Sequence, residues 1–232
     1  MSFLRLVGRS LRDVFEQLTS LFLYSVLWWV SVVTVIYAPV ATVTLFAMAD
    51  PRRQIMSTEF SDSIDVMKTS FRRSWAIFLC TVPLIVVLIW NTYYFGGTNE
   101  ALRILIPLWI LMSGVLIVLT LFAFSIAGTM ESGVRNAFRG AIYVLISRPY
   151  RGFLLGIFLL ILTVLLSVAV LPMLFIGPAL IAAIVNRFVF DGLNVEVMDP
   201  NAPTNERADE HARGINPDRG VLHRLRGNNQ RR

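Results

Sequence analysis

Residues 152–190 read GFLLGIFLLILTVLLSVAVLPMLFIGPALIAAIVNRFVF, and Arg187 is their only charge. A bilayer core about 30 Å thick is spanned by roughly 20 helical residues, so this stretch is long enough to cross twice. Pro172, near its middle, lacks the backbone donor that a continuous helix needs. The stretch therefore reads as one crossing over about 152–171 and another over about 173–190.

Three further apolar runs lie upstream, at about 21–48, 75–94 and 104–128. Hydrophobic residues make up 56% of the chain and charged ones 16%, where a globular protein carries about 25% charged. Backbone groups in hydrocarbon must bond within their own segment, so such runs read as helices. The alternating segments of about ten residues that mark a transmembrane barrel are missing. The expected fold is all-α: a polytopic transmembrane bundle of about five spans. An A-x-A pattern at Ala47-Met48-Ala49 suggests signal cleavage, but Leu21–Met48 is far longer than the roughly 7–15 residues of a signal h-region. The run is expected to stay in the chain.

The connectors carry helical patterning of their own. Leu4, Val7, Leu11, Phe15 and Leu18 recur at helical spacing against Arg5, Arg9, Arg12 and Glu16. That pattern predicts an amphipathic interfacial helix over 1–19. Phe60, Ile64, Met67 and Phe71, set against Asp62, Asp65, Lys68 and Arg72, predict a second over about 60–72. A third is expected at about 133–147, where Val134, Ala137, Phe138, Ala141, Ile142 and Leu145 oppose Arg135, Asn136 and Arg139. Residues 192–232 are polar and poor in apolar side chains, which predicts a disordered cytoplasmic tail.

Orientation follows from the basic residues, since cytoplasmic loops are enriched in them. With five crossings, Arg52, Arg53, Lys68, Arg72, Arg73, Arg135, Arg139, Arg148, Arg151, Arg187 and Arg207 share one side. Arg5, Arg9, Arg12 and Arg103 face the other. The larger set places the C-terminus in the cytoplasm. Two readings of residues 21–48 remain. A helix kinked at Pro39 crosses once, whereas a re-entrant hairpin bent there brings the N-terminal arginines to the basic side. Length favours the crossing and charge favours the hairpin.

Candidate sites are few. Ser31, Thr34, Ala38, Ala41 and Thr42 form a small, weakly polar stripe around Pro39, and Gly177-Pro178 is followed by Ala179, Ala182, Ala183 and Asn186. With Pro172, these breaks suit either a solute pathway through interrupted helices or close helix packing. No ionisable residue falls near the middle of a predicted span, which speaks against carboxylate-coupled pumping. Glu131, Arg187 and Asp191 lie near predicted ends, within snorkelling reach of the interface. His211 and His223 are the only histidines and both stand in the tail, and no P-loop is present. The expectation is no enzyme, cofactor or metal site. Cys80 is the single cysteine, so no internal disulfide forms. The net charge of +6 comes from residues flanking the apolar runs rather than a folded basic face, so nucleic acid is not an expected partner.

The segment 27–42, LWWVSVVTVIYAPVAT, resembles the opening of the YesL-like family of bacterial integral membrane proteins. Tryptophan, then threonine, then a Gly-Pro-Ala-Thr-like break characterise that opening; here Ala38 takes the glycine's place, and no proline precedes the threonine. The helix entering a span at Phe60 to Arg73, and Arg135-Asn136-Ala137 after the third span, are similar as well. The resemblance implies association with carbohydrate uptake and carries over no catalytic residue. The expected function is an accessory component of a sugar-permease complex in the cell (inner or plasma) membrane. A small-solute permease and a membrane scaffold or assembly factor are the alternatives, and a homo-oligomer is compatible with each.

Overall fold

A computed structural model describes residues 18–50, 60–98, 104–168 and 174–195, with Gly8 and Arg52. Among the described residues the chain is all-helical, without a strand. The helices are α1 (Leu18–Val33), α2 (Ala38–Met48), α3 (Phe60–Thr98), α4 (Ile106–Thr129), α5 (Val134–Ser147), α6 (Pro149–Val168) and α7 (Gly177–Gly192). The expected helix over 1–19, up to its junction with α1, lies outside the described residues. So do Arg53, Pro172 and the tail beyond residue 195.

Proline sets the helix boundaries. Pro39, Pro107 and Pro178 stand in the first turn of α2, α4 and α7, and α6 begins at Pro149. In that turn the missing N–H has no intrahelical partner to lose, and the fixed φ already suits a helix. Pro83, inside α3, is the exception.

This placement decides between the two readings of residues 21–48. The run is two helices, not one helix kinked at Pro39. They are joined by residues 34–37, where Val35 adopts a φ of 55°. The Trp28 indole Nε1 donates to Thr42 Oγ1 at 3.0 Å. One continuous helix would hold residues 28 and 42 roughly 21 Å apart, so the chain doubles back as a helical hairpin. Its arms of 16 and 11 residues are about 24 and 16 Å long, each short of a bilayer core.

Among the described residues three helical segments are long and apolar enough to cross a membrane: Ser63–Phe95, Ile106–Thr129 and Pro149–Val168. Five had been expected. The hairpin removes one, and α7, with 16 residues, reaches only about 24 Å. The stretch expected as an interfacial helix over 60–72 is continuous with the span that follows, in a single helix of 39 residues. No proline or glycine separates them, so nothing interrupts the hydrogen-bond ladder.

The face of α3 that packs against protein is its small-residue face. Ser63, Val66, Ser70, Ser74, Ile77 and Thr81 are buried, while Ile64 and Phe71 are exposed. Small side chains let helix backbones approach closely. The hydroxyls of Ser74 and Thr81 donate to the carbonyls of Ser70 and Ile77, four residues earlier, at 2.8 and 2.9 Å. Satisfied in this way, they pack like alanines and leave the apolar face of α3 outward.

The outward surface is apolar over much of its extent. Leu79, Val86, Ile89 and Trp90 of α3, and Leu160, Ile161 and Leu165 of α6, are each more than half exposed. Water does not tolerate so extended an apolar surface, whereas acyl chains solvate it.

Packing inside is tight. A Cβ on Gly128 of α4 would meet the Val43 carbonyl oxygen of α2 at 2.6 Å, whereas one on Gly114 would meet nothing within 4 Å. Gly128→Ala is therefore expected to destabilise by about 1–3 kcal/mol. Gly114→Ala should be neutral or stabilising by up to about 1 kcal/mol. Thermal unfolding of both variants in detergent reads the contrast; equal midpoints would contradict the close approach of α2 and α4.

Candidate functional site

At two places side chains reach the backbone of another element, the hairpin turn and the end where α2, α4 and α7 finish. At the turn, Ser31 Oγ donates to the Leu27 carbonyl, Thr34 Oγ1 to that of Ser31, and Thr42 Oγ1 to that of Ala38. Thr42 also accepts from Trp28. From α3, Trp75 Nε1 donates to the Ile36 carbonyl at 3.1 Å. The hydroxyls around Pro39 are thus bonded to backbone of their own helix or turn. A recess beside them, lined by Tyr24, Leu27, Trp28, Ala41, Thr44 and Met67 among others, has room for about one water molecule. No solute of sugar size fits there.

The second break, Gly177-Pro178, opens a buried helix rather than a cavity. Gly177, Pro178, Ala179, Ala182 and Ala183 are buried, and the alanines bring α7 close to its neighbours. One turn on, Asn186 is fully buried. Its Oδ1 accepts from Ser125 Oγ of α4 at 2.7 Å, and its Nδ2 donates to the Phe46 carbonyl of α2 at 2.8 Å. Phe46 lies in the last turn of α2, where carbonyls have no intrahelical partner. Asn186 therefore caps one helix while holding another.

Past Asn186 the charged residues close the same end. Asp50, 1% exposed, accepts from Arg52 Nη2 at 2.7 Å and Nε at about 3.1 Å. Arg52 Nη2 also donates to the Thr129 carbonyl at the end of α4, at 3.0 Å, and its guanidinium lies 4.4 Å over the Phe190 ring. Asp191 accepts from Arg148 and, at 3.3 Å, from Arg151. Asp191 is thus an ion-pair partner rather than a residue that merely snorkels.

The arginines read as topology signals divide accordingly. Arg52, Arg148 and Arg151 form ion pairs, and Arg73 Nη2 donates to Ser70 Oγ at 2.6 Å. Arg72, Arg135 and Arg139 are exposed. Asp50, Phe190 and the capping role of Asn186 escaped the sequence reading. The available signal was a lone carboxylate or amide directly beside an apolar run with arginines nearby. Among the described residues no three metal-ligating side chains converge, and Cys80 is exposed.

No protein-family model, curated protein or solved structure matches this chain.

Removing the amide at Asn186 strands Ser125 and the Phe46 carbonyl. Asn186→Ala is expected to destabilise by about 1–2 kcal/mol, the upper range for such bonds between membrane helices. Asn186→Asp should cost more, because a carboxylate faces the Phe46 carbonyl without a donor. Unfolding by SDS titration in mixed micelles checks the order; Asn186→Asp matching the wild type would remove Asn186 as a cap.

Proposed function

We propose that this chain is a non-enzymatic accessory component of a carbohydrate-uptake system. It is embedded in the cell (inner or plasma) membrane with its C-terminus in the cytoplasm. The observation that carries the reading is the use of the polar side chains at both helix breaks. Ser31, Thr34, Thr42 and Asn186 each bond to backbone or to a neighbouring helix, and the recess beside the hairpin is water-sized. Breaks engaged in packing suit a protein that supports a permease better than one that forms a pathway. The resemblance of residues 27–42 to the YesL-like opening supplies the link to carbohydrate uptake.

The hairpin supports the orientation. A run that doubles back between residues 33 and 38 returns Asp50 and Arg52 to the end where α1 begins. Arg5, Arg9 and Arg12 would then join the cytoplasmic set, leaving Arg103 alone outside, in keeping with the positive-inside rule. The end of α7 lies at the start of α6, where Asp191 pairs with Arg148 and Arg151, so the chain returns after α6 and its C-terminus shares the basic side.

Two experiments test the reading. Reporter fusions after residues 10, 60, 140 and 200 should report cytoplasm, and a fusion after residue 98 the opposite face. An external signal at residue 10 would sink the orientation. Deletion of the gene should slow uptake of at least one complex carbohydrate, while the purified chain alone in proteoliposomes shows no flux. Normal uptake of every carbohydrate tried would overturn the accessory role, and flux by the purified chain would replace it with a permease.

A further inference from the structure

Arg135 and Arg139 stand one helical turn apart on α5, both exposed. Among the described residues neither has an ion-pair or hydrogen-bond partner, in contrast to Arg52, Arg148 and Arg151. Their place on the helix makes this unusual. The N-terminal end of a helix already carries partial positive charge, which favours acidic residues and disfavours arginine. The first turn of α5 contains no acidic residue, and no side chain caps it.

The same outward face changes character two turns on. Ile142, Tyr143 and Ile146 are 44, 59 and 71% exposed, while Ala137, Ala141 and Val144 on the opposite face are fully buried. The packed side of α5 is therefore complete without them. A cationic half and an apolar half share one exposed face. Seven residues separate Arg135 from Ile142, a rise of roughly 10 Å. The cationic and apolar halves are therefore separate patches along one face of an amphipathic helix, the pattern of helices at the boundary between headgroups and acyl chains. The apolar end of α5 also leads directly into α6, one of the helices of crossing length.

We propose that this face binds an anionic phospholipid of the surrounding bilayer. Arg135 and Arg139 hold the phosphate, and Ile142, Tyr143 and Ile146 lie against the acyl chains. Charge complementarity selects an anionic headgroup over a zwitterionic one. The apolar half selects a lipid over a soluble phosphate. The proposal requires membrane embedding only, so it stands or falls separately from the accessory role.

The test uses the full chain in a non-ionic detergent. It is titrated with dihexanoyl-phosphatidylglycerol or dihexanoyl-phosphatidylcholine, and bound lipid is measured by native mass spectrometry. The anionic lipid should bind on the order of ten-fold more tightly. That preference should vanish in R135Q/R139Q with helical content unchanged, shrink in R139Q alone and persist in R72Q, which removes an exposed arginine from α3. Ile142→Ser with Ile146→Ser should weaken both lipids while keeping the preference. Equal affinity of the wild type for the two lipids would overturn the proposal, as would an R72Q loss equal to that of R135Q/R139Q. Full displacement of phosphatidylglycerol by equimolar inorganic phosphate would assign the arginines to a free anion instead.

Discussion

A backbone carbonyl in the last turn of a helix has no partner within that helix, and in this chain side chains from elsewhere supply one. Three carbonyls at helix ends or turns are met in this way. Trp75 donates to Ile36 at the hairpin turn, Asn186 to Phe46 at the end of α2, and Arg52 to Thr129 at the end of α4. An unsatisfied polar group in hydrocarbon costs several kcal/mol, more than any single packing contact here returns. The arrangement of α2, α4 and α7 follows from that constraint, because Asn186 holds α7 against the end of α2 and Arg52, just past α2, holds that end against α4.

Close approach is the second requirement, and small residues meet it. Gly128 lets α4 reach the backbone of α2, the alanines of α7 let it enter between its neighbours, and the serines of α3 do the same on a helix with exposed Ile64 and Phe71. The usual soluble pattern, apolar inward and polar outward, is inverted along this part of α3. Acyl chains gain nothing by expelling apolar side chains, so dispersion contacts and backbone proximity select the face that packs. Ile64 and Phe71 of the periodicity read at residues 60–72 lie on the outward face of α3, the side an interfacial helix turns to lipid.

The parts of the fold legible in the sequence were those that depend on composition over a bilayer's length. The apolar stretches that became α3, α4 and α6 needed no partner to be recognised. Pro39 was visible too, but a proline within an apolar run is compatible with a kink or with the first turn of a new helix. The break at residues 34–37 and the Trp28 to Thr42 bond distinguish them. Asn186 was seen as one member of a small-residue stripe, since its two partners lie 61 and 140 residues away. Arg52, Arg148 and Arg151 counted alike with Arg135 and Arg139 as loop charges. Their division into paired and free sets arose from where Asp50 and Asp191 came to rest.

Length, hydropathy and the position of charge are additive along a chain, and they were enough to establish helices, lipid-facing surface and a basic end. The hairpin and the capping donors are pairwise properties. Each depends on two residues distant in sequence meeting within about 3 Å, a coincidence that local pattern does not encode and that folding alone supplies.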